Sequence, residues 1–210
     1  MPFAVGEPVP WFYGPTLTNP RFRFDSVAGR YIVLSLFGSA GRVDSRAMLD
    51  VLAQREPSTA MLDGLANARS RFDDVRALFF GVTIDPDDDR LQRIHDQIPG
   101  IRFFRDFDQT ISRLFGALPG ESGMRAAGAF AGDSVPSASA QAPDSATVAA
   151  ALMEYEPFTL ILDERLRVLA YCHFDEPALH VERVLRFLDR QPEIPAPARA
   201  SVQAPVLVVP

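Results

Sequence analysis

The chain has 210 residues, of which 47% are hydrophobic, and its formal net charge at pH 7 is −6. This length suffices for one α/β domain with a buried core, and the negative charge provides no electrostatic footprint for binding nucleic acid. All 21 basic residues are arginine, so Schiff-base chemistry and a phosphate-loop lysine are excluded.

Strand-like and helix-length segments alternate along the first half of the chain. Residues 31–37 and 77–84 are almost continuously apolar, which predicts two central strands buried on both faces. Between them, residues 44–73 carry apolar side chains at helical spacing and predict a pair of helices broken at Pro57. The alternation predicts an α/β fold with a central mixed sheet and helices on both faces.

The turn from Gly38 to Gly41 follows the first of these strands and precedes the first predicted helix. Backbone N–H groups in such a position attract anions. A small anion or a ligand carboxylate held here, next to Arg42 and Arg46, is a minor hypothesis. The chain has neither a lysine nor a fuller glycine pattern to support it.

The acidic run at residues 85–89 follows the second strand. Asp85 is a suitable N-cap and Pro86 a suitable first residue for a helix, and acidic residues in the first turn face the positive end of the helix dipole. A calcium loop would need spaced ligands, a central glycine and a distal glutamate, which this run lacks. We therefore interpret the run as the start of a helix.

The second half of the chain predicts a hairpin and a closing helix. Strands are expected at residues 158–163 and 167–174, joined by a turn at Glu164 and Arg165. Apolar residues at helical spacing then predict a last helix across residues 181–188.

Two segments do not fit this core. Residues 118–154 are rich in Gly, Ala, Ser and Pro and are expected to form a flexible insertion, with one short helix at residues 146–153. Residues 191–210 begin as a Pro/Ala linker and end in a β-prone run at residues 206–209. We expect one domain over residues 1–190 and a tail that pairs with it, with a second copy or with a following domain.

Cys172 is the single cysteine of the chain, which excludes an internal disulfide and a Cys-x-x-Cys redox pair. It falls within a predicted strand, whereas a reactive thiolate is expected at a helix N-terminus. We therefore predict a small hydrophobic core residue on a central strand. A relocated nucleophile is the less favoured alternative.

The three histidines of the chain do not form a metal-binding pattern. His173 and Asp175 have the His-x-Asp spacing of an iron/2-oxoglutarate facial triad. The second histidine of such a triad lies far downstream, however, and His180 is only a few residues away. His95 has no cysteine or histidine at ligand spacing, so no metal or cofactor site is predicted.

The start of the chain lacks a charged segment followed by an apolar run, as a secretory signal would have. No stretch approaches the length of a membrane span. Together with the single cysteine, these features predict a cytoplasmic protein without membrane contact.

Five short segments of the chain, taken in order, form a pattern that is more specific than any one of them. Residues 6–12 have the pattern G-x-x-x-P-x-F, residues 75–85 resemble V-x-G-V-S-x-D, and residues 157–163 resemble R-x-x-F-I-I-D. Residues 100–106 resemble a short strand ending in S-D, and residues 111–116 resemble a helix A-x-x-Y-G. In this order the chain resembles the peroxiredoxin-like AhpC/TSA (redoxin) family. The resemblance implies a thioredoxin-like three-layer sandwich.

The catalytic pattern of that family is P-x-x-x-T-x-x-C, joined by an arginine from a later strand that stabilises the thiolate and the peroxide. By position, the proline corresponds to Gly38, the threonine to Arg42, the cysteine to Ser45 and the strand arginine to Pro157. All four positions differ, and a serine hydroxyl is not ionised near neutral pH. The resemblance therefore implies a domain that has lost peroxidase chemistry and has no catalytic residue at these positions.

Similar redoxin-like domains are found upstream of 2-oxoglutarate/iron dioxygenase domains of the prolyl hydroxylase type. This resemblance implies an accessory or interaction module whose partner is an appended or separate dioxygenase. A second copy of the chain is another candidate partner. The alternative function is a thiol-dependent antioxidant oxidoreductase, a peroxidase of the same family, that works through Cys172.

Overall fold

The computed structural model describes residues 3–41, 72, 75–94, 101–119, 144–174 and 177–193. Several predictions lie outside these residues: most of the helix pair at residues 44–73, the greater part of the insertion and the tail after residue 193. The same holds for these single positions: Arg42, Ser45, Arg46, His95 and Asp175.

A five-stranded mixed sheet forms the centre of the domain, in the order β5-β4-β3-β6-β7. Strands β3, β4 and β5 are parallel, and β6 and β7 are antiparallel to their neighbours. Strands β1 and β2 form a separate small hairpin, and Thr16, just after β1, pairs with Phe104 of β5 through an isolated bridge. The strands span Tyr13–Gly14 (β1), Phe22–Arg23 (β2), Tyr31–Gly38 (β3), Ala77–Thr83 (β4), Ile101–Arg105 (β5), Phe158–Leu162 (β6) and Val168–His173 (β7).

The two apolar runs of the sequence form the central part of this sheet, as predicted. Every residue of β3 and of β4 is buried. Strand β3 lies between β4 and β6, so neither of its edges is open and both of its faces are covered. This is the position that a continuously apolar strand indicates.

Four α-helices within the described residues surround the sheet: α1 at Pro86–Arg90, α2 at Thr110–Leu114, α3 at Ser145–Glu154 and α4 at Pro177–Asp189. A short 3-10 helix at Phe24–Val27 follows β2. The predicted cap of α1 is confirmed, because the Asp85 carboxylate accepts a hydrogen bond from the backbone N–H of Asp87 at 3.0 Å. Helix α3 confirms the short helix predicted inside the insertion.

Apolar layers cover both faces of the sheet. On one face, α2 and α3 lie over a cluster rich in stacked and edge-on phenylalanine rings. On the other face, α4 packs its apolar side onto β3, β4 and β6. The structure is therefore the predicted three-layer arrangement with helices on both faces. The members of the phenylalanine cluster include Phe12, Phe24, Phe80, Phe104 and Phe115.

A buried chain of polar side chains crosses the α4 face. The Thr159 hydroxyl lies 2.9 Å from the Ser35 hydroxyl and 2.8 Å from His180 Nε2. His180 Nδ1 lies 3.3 Å from the His173 carbonyl oxygen. Thr159 donates its hydroxyl proton to Ser35, and the roles of the two His180 nitrogens depend on the tautomer of the ring. These contacts join β3, β6 and α4.

We expect the contacts among Ser35, Thr159 and His180 to make the stability of the protein depend on pH. Burial lowers the pKa of His180 from 6.5 to about 4. Between these values the folded state binds fewer protons than the unfolded state, so stability is full above pH 6.5 and falls as the pH drops. The loss attributable to His180 reaches about 3 kcal/mol near pH 4.

The measurement compares chemical denaturation of the wild type and of His180→Gln from pH 7 to pH 4. Glutamine stays neutral, so the difference in unfolding free energy between the two proteins should change with pH in the direction given. A constant difference would show that His180 is not the buried neutral group described.

Candidate functional site

The C-terminal ends of the parallel strands β3 and β4 form the candidate site. In open α/β sheets, ligands bind at the carboxyl ends of the strands. Gly38, the last residue of β3, has a φ of +78°, a left-handed conformation that favours glycine. An added Cβ on Gly38 would lie 3.0 Å from the Tyr155 ring, so the turn that follows begins under close packing.

A buried carboxylate, Asp88, lies directly under this turn. Its side chain is fully buried, and its Oδ2 accepts the backbone N–H of Ala40 at 2.7 Å and the Thr83 hydroxyl at 2.5 Å. Arg93 lies 3.3 Å from the other oxygen, Oδ1. Burial raises the pKa of Asp88, and the hydrogen bonds from Ala40 and Thr83 oppose that increase.

Asp85 also contacts the turn that follows Gly38, through the side chain of Ser39. Its Oδ2 accepts the Ser39 hydroxyl at 2.7 Å, and Ser39 Oγ in turn accepts the backbone N–H of Gly41 at 3.0 Å. Arg93 also reaches Asp85, at 3.5 Å. An added Cβ on Gly41 would lie 2.7 Å from an Arg93 nitrogen, so only glycine lets the guanidinium approach this closely.

A second buried acid, Asp106, lies on the other side of Thr83. Its backbone N–H donates to the Thr83 carbonyl, and its carboxyl oxygens accept the backbone N–H groups of Ile111 and Ser112 at 2.8 and 2.7 Å. Burial raises the pKa of Asp106 to about 7 against these hydrogen bonds. The Ser112 hydroxyl lies 3.1 Å from the Tyr155 hydroxyl, which connects this acid to the side chain packed on Gly38.

A shallow cleft of about 230 Å³ opens between the start of α1 and one side of α3. The carboxylates of Asp85 and Asp87 lie on one side of it, and Val148, Ala149 and Leu152 on the other. Asp87 is paired with Arg90 at 2.9 Å. The strand ends are therefore dominated by acidic groups, two of them buried.

Gly38 and Pro157, two of the four positions that differ from the catalytic pattern of the redoxin family, lie close together in the structure. Leu36 pairs with Phe158, so Pro157, just before β6, lies opposite the end of β3 where Gly38 stands. Pro157 has no side-chain donor and supplies no cationic group to this strand end. Arg42 and Ser45, the remaining two positions, lie outside the described residues.

Cys172 is not part of this site. It lies on β7, in register with Thr159, which is itself in register with Ser35, so Cys172 is two strand spacings, roughly 10 Å, from β3. The prediction of a central strand was wrong, because β7 is an edge strand and Cys172 is half-buried. It still packs against the apolar cluster under α4, as predicted for a small hydrophobic residue.

The environment of Cys172 disfavours a thiolate. Burial raises the pKa of the thiol, and attraction to Arg183 only partly offsets this effect. The thiol is therefore protonated near neutral pH. A protonated thiol is a poor nucleophile towards peroxide.

His173 and His180, the two histidines considered above against a facial triad, lie in different environments. His180 is buried, with both ring nitrogens engaged by Thr159 and His173, while His173 is exposed. Within the described ranges, no group of three or more His, Cys, Asp or Glu side chains could hold a metal ion. In the same part of the chain, no helix is long and apolar enough to cross a membrane.

Sequence reasoning missed the residues that converge at the strand ends. Asp88 and Asp106 gave no signal of burial, since acidic residues near a helix start are normally solvated. The Gly38 to Gly41 turn was considered above as a place for an external anion beside Arg42 and Arg46, which lie outside the described residues. In the structure, the Ala40 N–H of this turn binds the chain's own Asp88 carboxylate instead of an external one.

No family model and no curated protein matches the chain. Solved structures of peroxiredoxins do match it. Peroxidoxin BcpB from Mycobacterium tuberculosis has a TM-score of 0.56 and 17% identity, over 89% of this chain and 97% of that chain. A yeast mitochondrial 1-Cys peroxiredoxin has a TM-score of 0.56 and 12% identity, over 89% and 75% of the two chains. A cysteine-to-serine mutant of PrxQ from Xylella fastidiosa gives 0.56 and 12%, over 89% and 96%.

This is the thioredoxin-like fold of the peroxiredoxins. The fold predicted from the ordered segments is confirmed. At these identities the similarity establishes the peroxiredoxin fold and not the chemistry, which depends on the residues of the site.

The packing at Gly38 gives a prediction with a matched control. Gly38→Ala combines an unfavourable left-handed φ with a contact to Tyr155, whereas Gly29 has a φ of +95° and nothing within 4 Å of an added Cβ. Gly29→Ala should cost about 1–2 kcal/mol from backbone strain alone. Gly38→Ala should cost about 1–3 kcal/mol more, because the well-packed ring must move. Equal losses in urea denaturation would contradict the packing described for Tyr155.

Proposed function

We propose that this chain is a peroxiredoxin-fold domain that has lost thiol peroxidase chemistry and serves as a non-catalytic accessory or interaction module. The observation that carries the proposal is the position of its single cysteine. Cys172 lies on the edge strand β7, with a raised thiol pKa, and not beside the ends of β3 and β4.

The strand ends themselves support the same proposal. The backbone donor of Ala40 is taken by Asp88, whose carboxylate adds negative charge at the end of β3. Pro157 provides no guanidinium there. A site that already contains fixed negative charge disfavours a second anion, whether a thiolate or a peroxide anion.

The partner belongs to the proposal as well. The resemblance to domains found upstream of 2-oxoglutarate/iron dioxygenases favours an appended or separate dioxygenase, and a second copy of the chain is the alternative. A cytoplasmic location is also proposed. It is supported by the single cysteine, which leaves the chain without an internal disulfide.

One alternative function has a specific observation in its favour. Thr159 is the cross-strand neighbour of Cys172, and Arg183 attracts negative charge at its sulfur. A threonine, an arginine and a cysteine are also the residue types that the redoxin family uses. A thiol oxidoreductase that works through Cys172 is therefore the second candidate, although burial opposes the thiolate it would need.

We expect no thiol-dependent peroxide turnover by the purified chain. Hydrogen peroxide consumption coupled to thioredoxin or to glutathione should equal that of Cys172→Ser, because neither protein places a thiolate at the strand ends. Ser45→Cys should not restore turnover, since Arg42 and Pro157 also differ from the family pattern. Turnover that is well above the Cys172→Ser level would favour the oxidoreductase.

The reactivity of Cys172 provides an independent test. Because its thiol is half-buried and its pKa is raised, labelling by a thiol reagent at pH 7 should be slow in the native state and fast in denaturant. The control is a small model thiol measured under both conditions. Native labelling as fast as that of the model thiol, or a thiolate that titrates below pH 7, would contradict the proposal.

A further inference from the structure

Asp88 resembles a bound ligand more than a surface acid of a short helix. We propose that Ala40, Thr83 and Arg93 form a binding site for a small carboxylate, and that the chain fills this site with its own Asp88 side chain. We call these three residues the carboxylate site. The inference does not depend on the proposed loss of peroxidase activity.

Three kinds of donor converge on the Asp88 carboxylate. The Ala40 backbone N–H donates to Oδ2 at 2.7 Å, and the Thr83 hydroxyl lies 2.5 Å from the same oxygen. Arg93 approaches Oδ1 at 3.3 Å. A backbone N–H, a hydroxyl and a guanidinium on two oxygens form a charge-assisted set of the kind that binds free carboxylates.

The proton of the Thr83 hydroxyl is directed to the carboxylate. Thr83 Oγ1 also lies 3.0 Å from the Gly38 carbonyl oxygen, a neutral acceptor that is shared with the Ile84 N–H at 2.8 Å. The Asp85 N–H occupies the acceptor side of the hydroxyl at 3.1 Å. With a single proton to give, Thr83 donates to the ionised oxygen at the shorter distance.

The donors are held in place without help from the Asp88 side chain. Thr83 is the last residue of the central strand β4. The Arg93 backbone N–H binds the Asp88 carbonyl at 2.8 Å, and its guanidinium also reaches Asp85. The turn that contains Ala40 is closed by Ser39, whose hydroxyl binds Asp85. Removal of the Asp88 carboxyl group should therefore leave a preformed site.

The size of the site defines its ligand. Asp88 places one carboxylate on a single methylene in a fully buried position, so a free ligand must be a monocarboxylate as small as formate or acetate. In the wild type the tethered carboxylate has a high effective concentration and excludes such ligands. Asp88 thus acts as an internal ligand that fastens α1 to the end of β3.

The test is chemical rescue of Asp88→Ala, measured by thermal unfolding at pH 7 in sodium formate and in sodium chloride of equal ionic strength. The variant in chloride should melt about 5 °C or more below the wild type, because charge-assisted hydrogen bonds are lost. Formate should raise its Tm along a saturable curve. The control is Asp87→Ala, which removes an exposed carboxylate from the same helix. Neither this variant nor the wild type should have a higher Tm in formate than in chloride.

Two further variants make the test specific. Asp88→Gly removes one carbon more than Asp88→Ala, so acetate should stabilise it better than formate does. The double variant Asp88→Ala with Arg93→Gln should lose most of the response to formate, because the guanidinium that balances the charge is gone. Line broadening of 13C-formate by Asp88→Ala, and not by the double variant, would report binding directly.

Equal Tm values of Asp88→Ala in formate and in chloride, or an equal response of Asp87→Ala, would overturn the proposal and leave Asp88 as a purely structural residue. Should Asp88→Ala be unfolded in chloride, far-UV circular dichroism during refolding in each salt makes the same comparison. A variant that remains unfolded in formate, while Asp88→Asn folds, would also overturn it.

Discussion

The complete burial of strand β3 is the constraint on which the rest of the structure depends. All eight of its residues are buried, and it pairs with β4 on one side and β6 on the other. Such a strand shows no side chain to water, so an apolar layer must cover each face. The phenylalanine cluster covers one face and α4 the other. Ser35, a polar side chain in the middle of the strand, then requires the partner that Thr159 provides.

The residues that follow β3 are also buried, so their polar groups need hydrogen-bond partners within the protein. Ser39 and Ala40 leave the sheet while still buried, so their hydrogen-bond partners have to come from the protein. The carboxylates of Asp85 and Asp88 serve as these partners, and Arg93 lies within ion-pair distance of both. The strand ends therefore hold fixed acids, while the single thiol lies on an edge strand.

The sequence contained enough information to predict most of the fold. The apolar runs identified β3 and β4 as central strands, because only a strand covered on both faces can be continuously apolar. Asp85 and Pro86 marked the start of α1, since capping depends on neighbouring residues alone. The ordered segments indicated the thioredoxin-like arrangement. The presence of a single cysteine, at position 172, was also visible, because it follows from residue identity.

Only the tertiary structure decided which distant groups meet. Asp88 and Ala40 are 48 residues apart, and Thr159 and Ser35 are 124 apart, so no local pattern records their contacts. The strand order places Cys172 on an edge strand and not on the predicted central strand, so its side chain is only half-buried. Sequence periodicity reports which face of an element is buried, whereas a site is formed by the elements that packing brings together. The sequence therefore determined the elements and the position of the single cysteine along the chain, and packing determined which side chains meet at the strand ends.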